Sequence, residues 1–159
     1  MATETLKFKL ELYATYWNKP PIAEIKIADK TYFKDKITST EQEPTVIEFE
    51  HLLENDKSYS LDIIRTGKTD QETVLENDTI IKDQLLNIKY VEIDEIDLGA
   101  LLFEGVYTPE YPEPWATQLR DKGVSLPKSF KNVTQMGHNG VWAFKFTSPF
   151  YMWLLENLY

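Results

Sequence analysis

The chain has 159 residues, of which 42% are apolar and 13% aromatic, so it can bury the core of one folded domain. Its 26 acidic and 17 basic residues give a formal charge of −9, which disfavours binding to a nucleic acid backbone. It has no cysteine, no apolar run long enough for a membrane span and no secretory signal, which excludes disulfides and thiolate sites and predicts a protein made in a cytoplasm.

Strands are predicted along the first part of the chain, because apolar residues recur there at every second position. In residues 6–16 every even-numbered position is apolar, and residues 22–27 and 31–33 continue the pattern on either side of a turn. Residues 46–50 and 59–63 alternate as well, and the turn sequence "ENDK" between them predicts a hairpin.

The alternation changes phase near Tyr90, between Ile88 and Val91. This slip predicts either a β-bulge or a strand that is buried on both sides. A second change of phase at Asp94–Glu95 predicts a tight turn. Acids such as Glu92 then lie on the solvent face of a strand and need no chemical role.

Residues 99–139 are rich in proline and glycine and have no sustained strand pattern. Within them, residues 114–122 predict a short helix. Residues 142–146 predict a last strand, and a C-terminal helix follows with Ser148 as its N-cap and Pro149 in its first turn.

These elements together predict a mostly β protein: an antiparallel, jelly-roll-like β-sandwich with a short C-terminal helix and a second short helix near 114–122. We assign residues 1–159 to a single domain. Its predicted parts are a sandwich core at 5–98, a proline- and glycine-rich excursion at 99–139, and the final strand and helix at 140–159.

Acidic residues are concentrated in the irregular chain around residues 70–83. Calcium takes six to eight oxygen ligands from carboxylates and carbonyls on loops that can wrap around it. Asp70, Asp78 and Asp83 are therefore candidate calcium ligands. Solvated loop acids without a metal are the alternative.

Three aromatic residues, Tyr107, Tyr111 and Trp115, alternate with prolines in "VYTPEYPEPW". Proline stiffens the chain, so these rings could be held in place for a sugar or a protein partner. The alternative is that they cover the sandwich core. The two histidines, His51 and His138, share no motif, so we expect no enzyme, although a paired-carboxylate hydrolase stays open.

Three segments carry a family resemblance: "IAEIKIADKTYF", "IEFEHLLENDKSYSLDII" and "KDQLLNIKYVEIDEIDLG". Over residues 5–98 the chain resembles the calcium-dependent xylan-binding carbohydrate-binding modules, with Gln84 where the family has an arginine. The resemblance implies a small β-sandwich, a carbohydrate ligand, and Asp83 as a calcium ligand with Asp70 as its partner. The whole chain also resembles uncharacterised proteins of tailed phages, especially cyanophages, which share its "TSPFYMWLLENLY"-like end.

We therefore expect a non-catalytic binding module, located in the phage virion and made in the host cytoplasm. It would bind a carbohydrate or another virion protein. The C-terminal helix has apolar residues on more than one side, which also allows contact with a second copy of the chain. The alternative is a small acidic phage protein that binds and inhibits a host protein inside the cell.

Overall fold

A computed structural model describes residues 2–69, 72–77 and 79–157 of the protein. The strands in these residues form two antiparallel sheets and one separate hairpin. The strands are β1 (Thr3–Thr15), β2 (Ile22–Ile27), β3 (Lys30–Lys36), β4 (Thr45–Glu54), β5 (Ser58–Thr66), β6 (Val74–Glu76), β7 (Thr79–Lys82), β8 (Leu85–Ile93), β9 (Ile96–Asp97), β10 (Val106–Pro109), β11 (Gln135–Met136) and β12 (Gly140–Thr147). The helices are a 3₁₀ turn (Gly99–Glu104), α1 (Trp115–Asp121) and α2 (Phe150–Asn157).

The first sheet has the strand order β11–β8–β1–β4, with β9 paired to the end of β8. The second has the order β10–β12–β5–β2–β3, and β6 and β7 form the separate hairpin. This arrangement confirms the antiparallel sandwich with a short C-terminal helix, and α1 confirms the helix expected near 114–122. No helix in the described part of the chain is long and apolar enough to cross a membrane.

The core lies between the two sheets and follows the alternation of the sequence. Leu6, Phe8, Leu10 and Leu12 of β1 are all buried, as their even spacing predicted. Phe8 and Phe146 of β12 join the two layers, with 6.3 Å between their ring centroids. Because side chains alternate across a strand, the sequence specifies which residues enter this core.

A β-bulge explains the phase slip in β8. The pairing of β8 with β1 skips one residue at Lys89, so that Ile88 and Val91 both enter the core although they are three positions apart. The bulge is therefore confirmed, and Lys89 remains exposed. The tight turn is confirmed as well, since Asp94 and Glu95 both have a positive φ, of 53° and 68°.

The predicted hairpin between β4 and β5 is wrong. β4 pairs with β1 in the first sheet, whereas β5 pairs with β2 and β12 in the second. The turn at Asp56, where φ is 63°, carries the chain across the core, and its N–H donates to the carbonyl of Ser148 at 2.6 Å. Alternation specifies the inward side chains of a strand but not the sheet that the strand joins.

Helix α2 packs on the core at the end of β12, but its N-terminus is not capped as expected. The hydroxyl of Ser148 donates to the carboxylate of Glu4, and the N–H of Phe150 donates to the same carboxylate at 2.8 Å. An acid on β1 thus takes the place of the predicted cap. Phe150 and Leu154 are buried as predicted, while Leu155 is exposed; residues 158 and 159 lie outside the described residues.

Candidate ligand-binding site

An open cleft of about 480 Å³ lies between the β6–β7 hairpin and the chain that leads into α1. The hairpin contributes the exposed side chains of Leu75 and Ile80, and the other side contributes two prolines and two acids of residues 110–114 together with Trp115. The floor is more deeply buried, since the side chains of Lys68 and Asp83 are only 11% and 18% exposed. The cleft thus has mainly apolar sides and a polar floor, which is typical of a ligand site.

Of the three predicted ligand-binding rings, Trp115 is the one that lines the cleft with an accessible surface. Its side chain is 38% exposed, and its ring lies 5.6 Å from that of His138 and 6.2 Å from that of Tyr111. Tyr111 packs edge-on against His138 at 5.3 Å, and its hydroxyl donates to the carbonyl of Pro127. Tyr111 and His138 therefore hold Trp115 in position.

Tyr107 lies beneath the cleft, where only 3% of it is exposed. Its hydroxyl donates to the carbonyl of His138 at 2.6 Å and accepts the N–H of the same residue at 2.8 Å. Burial raises the pKa of Tyr107 to about 12. The structure therefore separates Tyr107 from the other two rings: it supports His138 and has no face for a ligand.

Asp83, the predicted calcium ligand, already has three hydrogen-bond donors on one oxygen. Its Oδ1 accepts from Thr73 Oγ1 at 2.6 Å, from the N–H of Gln84 at 2.8 Å and from Lys68 Nζ at 2.9 Å. Burial raises the pKa of Asp83, but the hydrogen bonds from Thr73 and Lys68 outweigh it and hold that pKa below its usual value. Asp83 is therefore ionised and paired at neutral pH.

The described residues around Asp83 do not fit a calcium site. In residues 2–69, 72–77 and 79–157, no group of three histidine, aspartate or glutamate side chains could hold a metal. Glu72, the buried carboxylate nearby, accepts from Asn18 at 3.4 Å and from the N–H of Thr69 at 2.5 Å. Asp70 and Asp78 lie outside the described residues, so the calcium prediction now depends on them.

Arg65, beneath the cleft, and Asn139, which lines it, were not predicted from the sequence. Arg65 is fully buried, and it donates to Asn139 Oδ1 at 3.0 Å and to the carbonyl of Gln84 at 2.5 Å. Burial lowers the pKa of Arg65 to about 10, so its guanidinium stays charged at neutral pH. The sequence did contain a signal for the burial of Arg65, because Arg65 lies on the same inward face of β5 as Leu61 and Ile63.

Comparison of the sequence with models of known protein families finds no match, and comparison with curated protein sequences finds none either. Two solved structures are similar. One is vCBM60 in complex with galactobiose, at 9% identity, over 87% of this chain and 96% of that chain, with a TM-score of 0.49. The other is a selenomethionine form of vCBM60, from work linking two families of calcium-dependent carbohydrate-binding modules by circular permutation. It has 9% identity over 87% of this chain and 89% of that chain, with a TM-score of 0.50. The second likeness shows that this chain has the β-sandwich fold of a carbohydrate-binding module.

Proposed function

We propose that this protein is a non-catalytic carbohydrate-binding module whose ligand lies in the cleft beside Trp115. The observation that carries the proposal is an accessible indole, held by two further rings, at the side of an open cleft. The C–H face of a pyranose is apolar and packs well on an aromatic plane, while its hydroxyls require polar partners. The fold shared with the selenomethionine form of vCBM60 supports the same function.

The polar groups of the cleft suit a ligand with many hydroxyls. Gln118 and Asn139 line it with amide groups, and Glu110 adds a carboxylate that can accept hydrogen bonds. Leu75 and Ile80 stand on the opposite side, where they can cover the apolar face of a sugar. This mixture of a few polar groups with apolar walls favours an oligosaccharide over a highly charged ligand.

The β7 strand offers a matched pair of variants that tests the location of the site. Ile80 lines the cleft, whereas its neighbour Ile81, which lies at an irregularity in the pairing of β6 with β7, does not line it; both are exposed. On a glycan array, the wild type and Ile81→Arg should bind the same glycans, and Ile80→Arg should lose them. Equal binding by both variants would show that the glycan lies elsewhere.

Calcium dependence is a separate proposal, because it rests on Asp70 and Asp78 and on the resemblance to calcium-dependent modules. The same array run in calcium and in a chelator tests it. Loss of all glycan binding in the chelator would support a bound calcium ion. Unchanged binding would show that the ligand needs no metal.

The location in a virion is also a proposal, which rests on the resemblance to tailed-phage proteins. Mass spectrometry of purified virions of the encoding phage should detect the protein if it is a virion accessory component. Its absence from virions, together with its presence in infected cells, would favour the intracellular alternative. In that case an acidic protein that binds a host protein becomes the better explanation.

A further inference from the structure

We propose that Lys68 acts as a built-in cation of the cleft floor, so that Asp83 neither binds nor needs a metal ion. Lys68 Nζ lies 2.9 Å from Asp83 Oδ1 and 2.5 Å from the carbonyl oxygen of Gly137. A carboxylate and a backbone carbonyl are the ligand types that calcium prefers. Here the ammonium group already holds both of them.

A metal ion at Asp83 would have to displace this ammonium or stand beside it. Two positive charges within a few ångströms repel each other, and the repulsion grows where little water screens it. The side chains of Lys68 and Asp83 are 11% and 18% exposed, so screening is weak at this point. The ion pair therefore excludes a cation from Asp83 for as long as the floor keeps its structure.

The backbone of Lys68 is fixed by hydrogen bonds through both its N–H and its carbonyl group. The side chain of Asn139 accepts the N–H of Lys68 at 3.0 Å and donates to its carbonyl at 3.0 Å. Arg65 donates to the same Asn139 oxygen and to the carbonyl of Gln84. Two side-chain cations thus satisfy oxygen atoms from two segments, 83–84 and 137–139, that lie far apart in the sequence.

Lys68 is therefore a positioning residue for the cleft. It links the chain at residues 67–69 to Asp83 and to the segment 137–139, which carries His138. His138 in turn packs against Trp115. The consequence for ligand binding rests on the proposed function, whereas the consequence for stability does not.

The stability test uses melting temperature without any sugar. Lys68→Met removes the ammonium and leaves the largely buried Asp83 carboxylate without its ion-pair partner, so the melting temperature should fall by at least about 5 °C. The matched control is Lys131→Met, because Lys131 forms an exposed ion pair with Glu104 at 3.9 Å, and it should change the melting temperature by less than about 1 °C. Equal melting of the two variants would overturn the proposal.

The double variant Lys68→Met with Asp83→Asn separates charge pairing from packing. It leaves no unpaired carboxylate, so it should melt well above Lys68→Met alone. This comparison also decides the case if Lys68→Met is recovered unfolded. A double variant that is no more stable than Lys68→Met would show that the ion pair is not what organises the floor.

The metal test compares the wild type with Asp83→Asn in calcium and in a chelator. Any effect of calcium on melting should be the same in both proteins, because Asp83 is not a ligand. A rise in the wild type that disappears in Asp83→Asn would overturn the proposal. On the glycan array, Lys68→Met should lose binding; if the wild type binds no glycan in either buffer, the proposed function fails, while the melting comparisons still decide the role of Lys68.

Discussion

Replacing Trp115 with alanine should weaken glycan binding about fiftyfold without unfolding the protein. Its exposed fraction of 38%, on a side chain of about 250 Å², leaves roughly 95 Å² that a sugar can cover. At about 25 cal/mol per Å² this surface is worth roughly 2.4 kcal/mol, which corresponds to about a fiftyfold change in Kd. Trp115→Phe should lose less, because it keeps a flat though smaller ring.

Isothermal titration with the strongest glycan from the array measures this loss. The matched control is Phe103→Ala, since Phe103 is an aromatic residue of similar exposure that does not line the cleft. Circular dichroism of each variant checks that the fold is intact. If a folded Trp115→Ala protein binds within threefold of the wild type, no sugar packs on this ring and the proposed site is wrong.

Three further predictions concern stability and assembly. Phe150→Ala should destabilise the fold by about 3–5 kcal/mol because it empties a fully buried site, whereas Met152→Ala on the exposed side of α2 should cost less than about 0.5 kcal/mol in urea unfolding. Burial, followed by the nearby charge of Lys68, lowers the pKa of His138 in the folded state, so the unfolded chain takes up that proton first. Stability should therefore fall as the pH drops below about 6.5, and His138→Gln should reduce the fall in melting temperature between pH 7.5 and 5.5. If α2 joins two copies of the chain, light scattering should report a dimer that Leu155→Lys converts to a monomer; a monomeric wild type contradicts this.

The sequence predicted strand faces well, because the side on which a residue lies depends only on whether its position is odd or even. Most inward residues of β1, β5 and β12 are buried as expected, while Ala14 and Tyr59 are half-buried. The bulge in β8 was visible as a slip in the same pattern. The partner of each strand was harder to predict. Residues 54–57 have the composition of a hairpin turn, but they cross between the sheets. Whether such a turn closes a hairpin or crosses to the other sheet depends on contacts with residues far away in the sequence.

The cleft was predicted only in part, because its residues come from separate segments of the chain. Trp115 could be proposed from the prolines around it. The hairpin with Leu75 and Ile80 is too short to show a clear period, and Lys68 lies in a stretch that resembles an ordinary polar loop. Asp83 was found as an acid, but its ion pair depends on how the loops meet.

The contrast between the floor and the walls of the cleft indicates how it can bind a ligand. Two polar groups of the floor are held by several contacts: Asp83 accepts from three donors, and the side chain of Asn139 makes three hydrogen bonds. A floor fixed in this way loses little freedom when a ligand arrives, so more of the contact energy appears as affinity. The walls are different, since Leu75 and Ile80 are more than half exposed on a small separate hairpin. Conservative apolar substitutions in the walls should therefore change which glycan is preferred, while substitutions in the floor should weaken the binding of every glycan together.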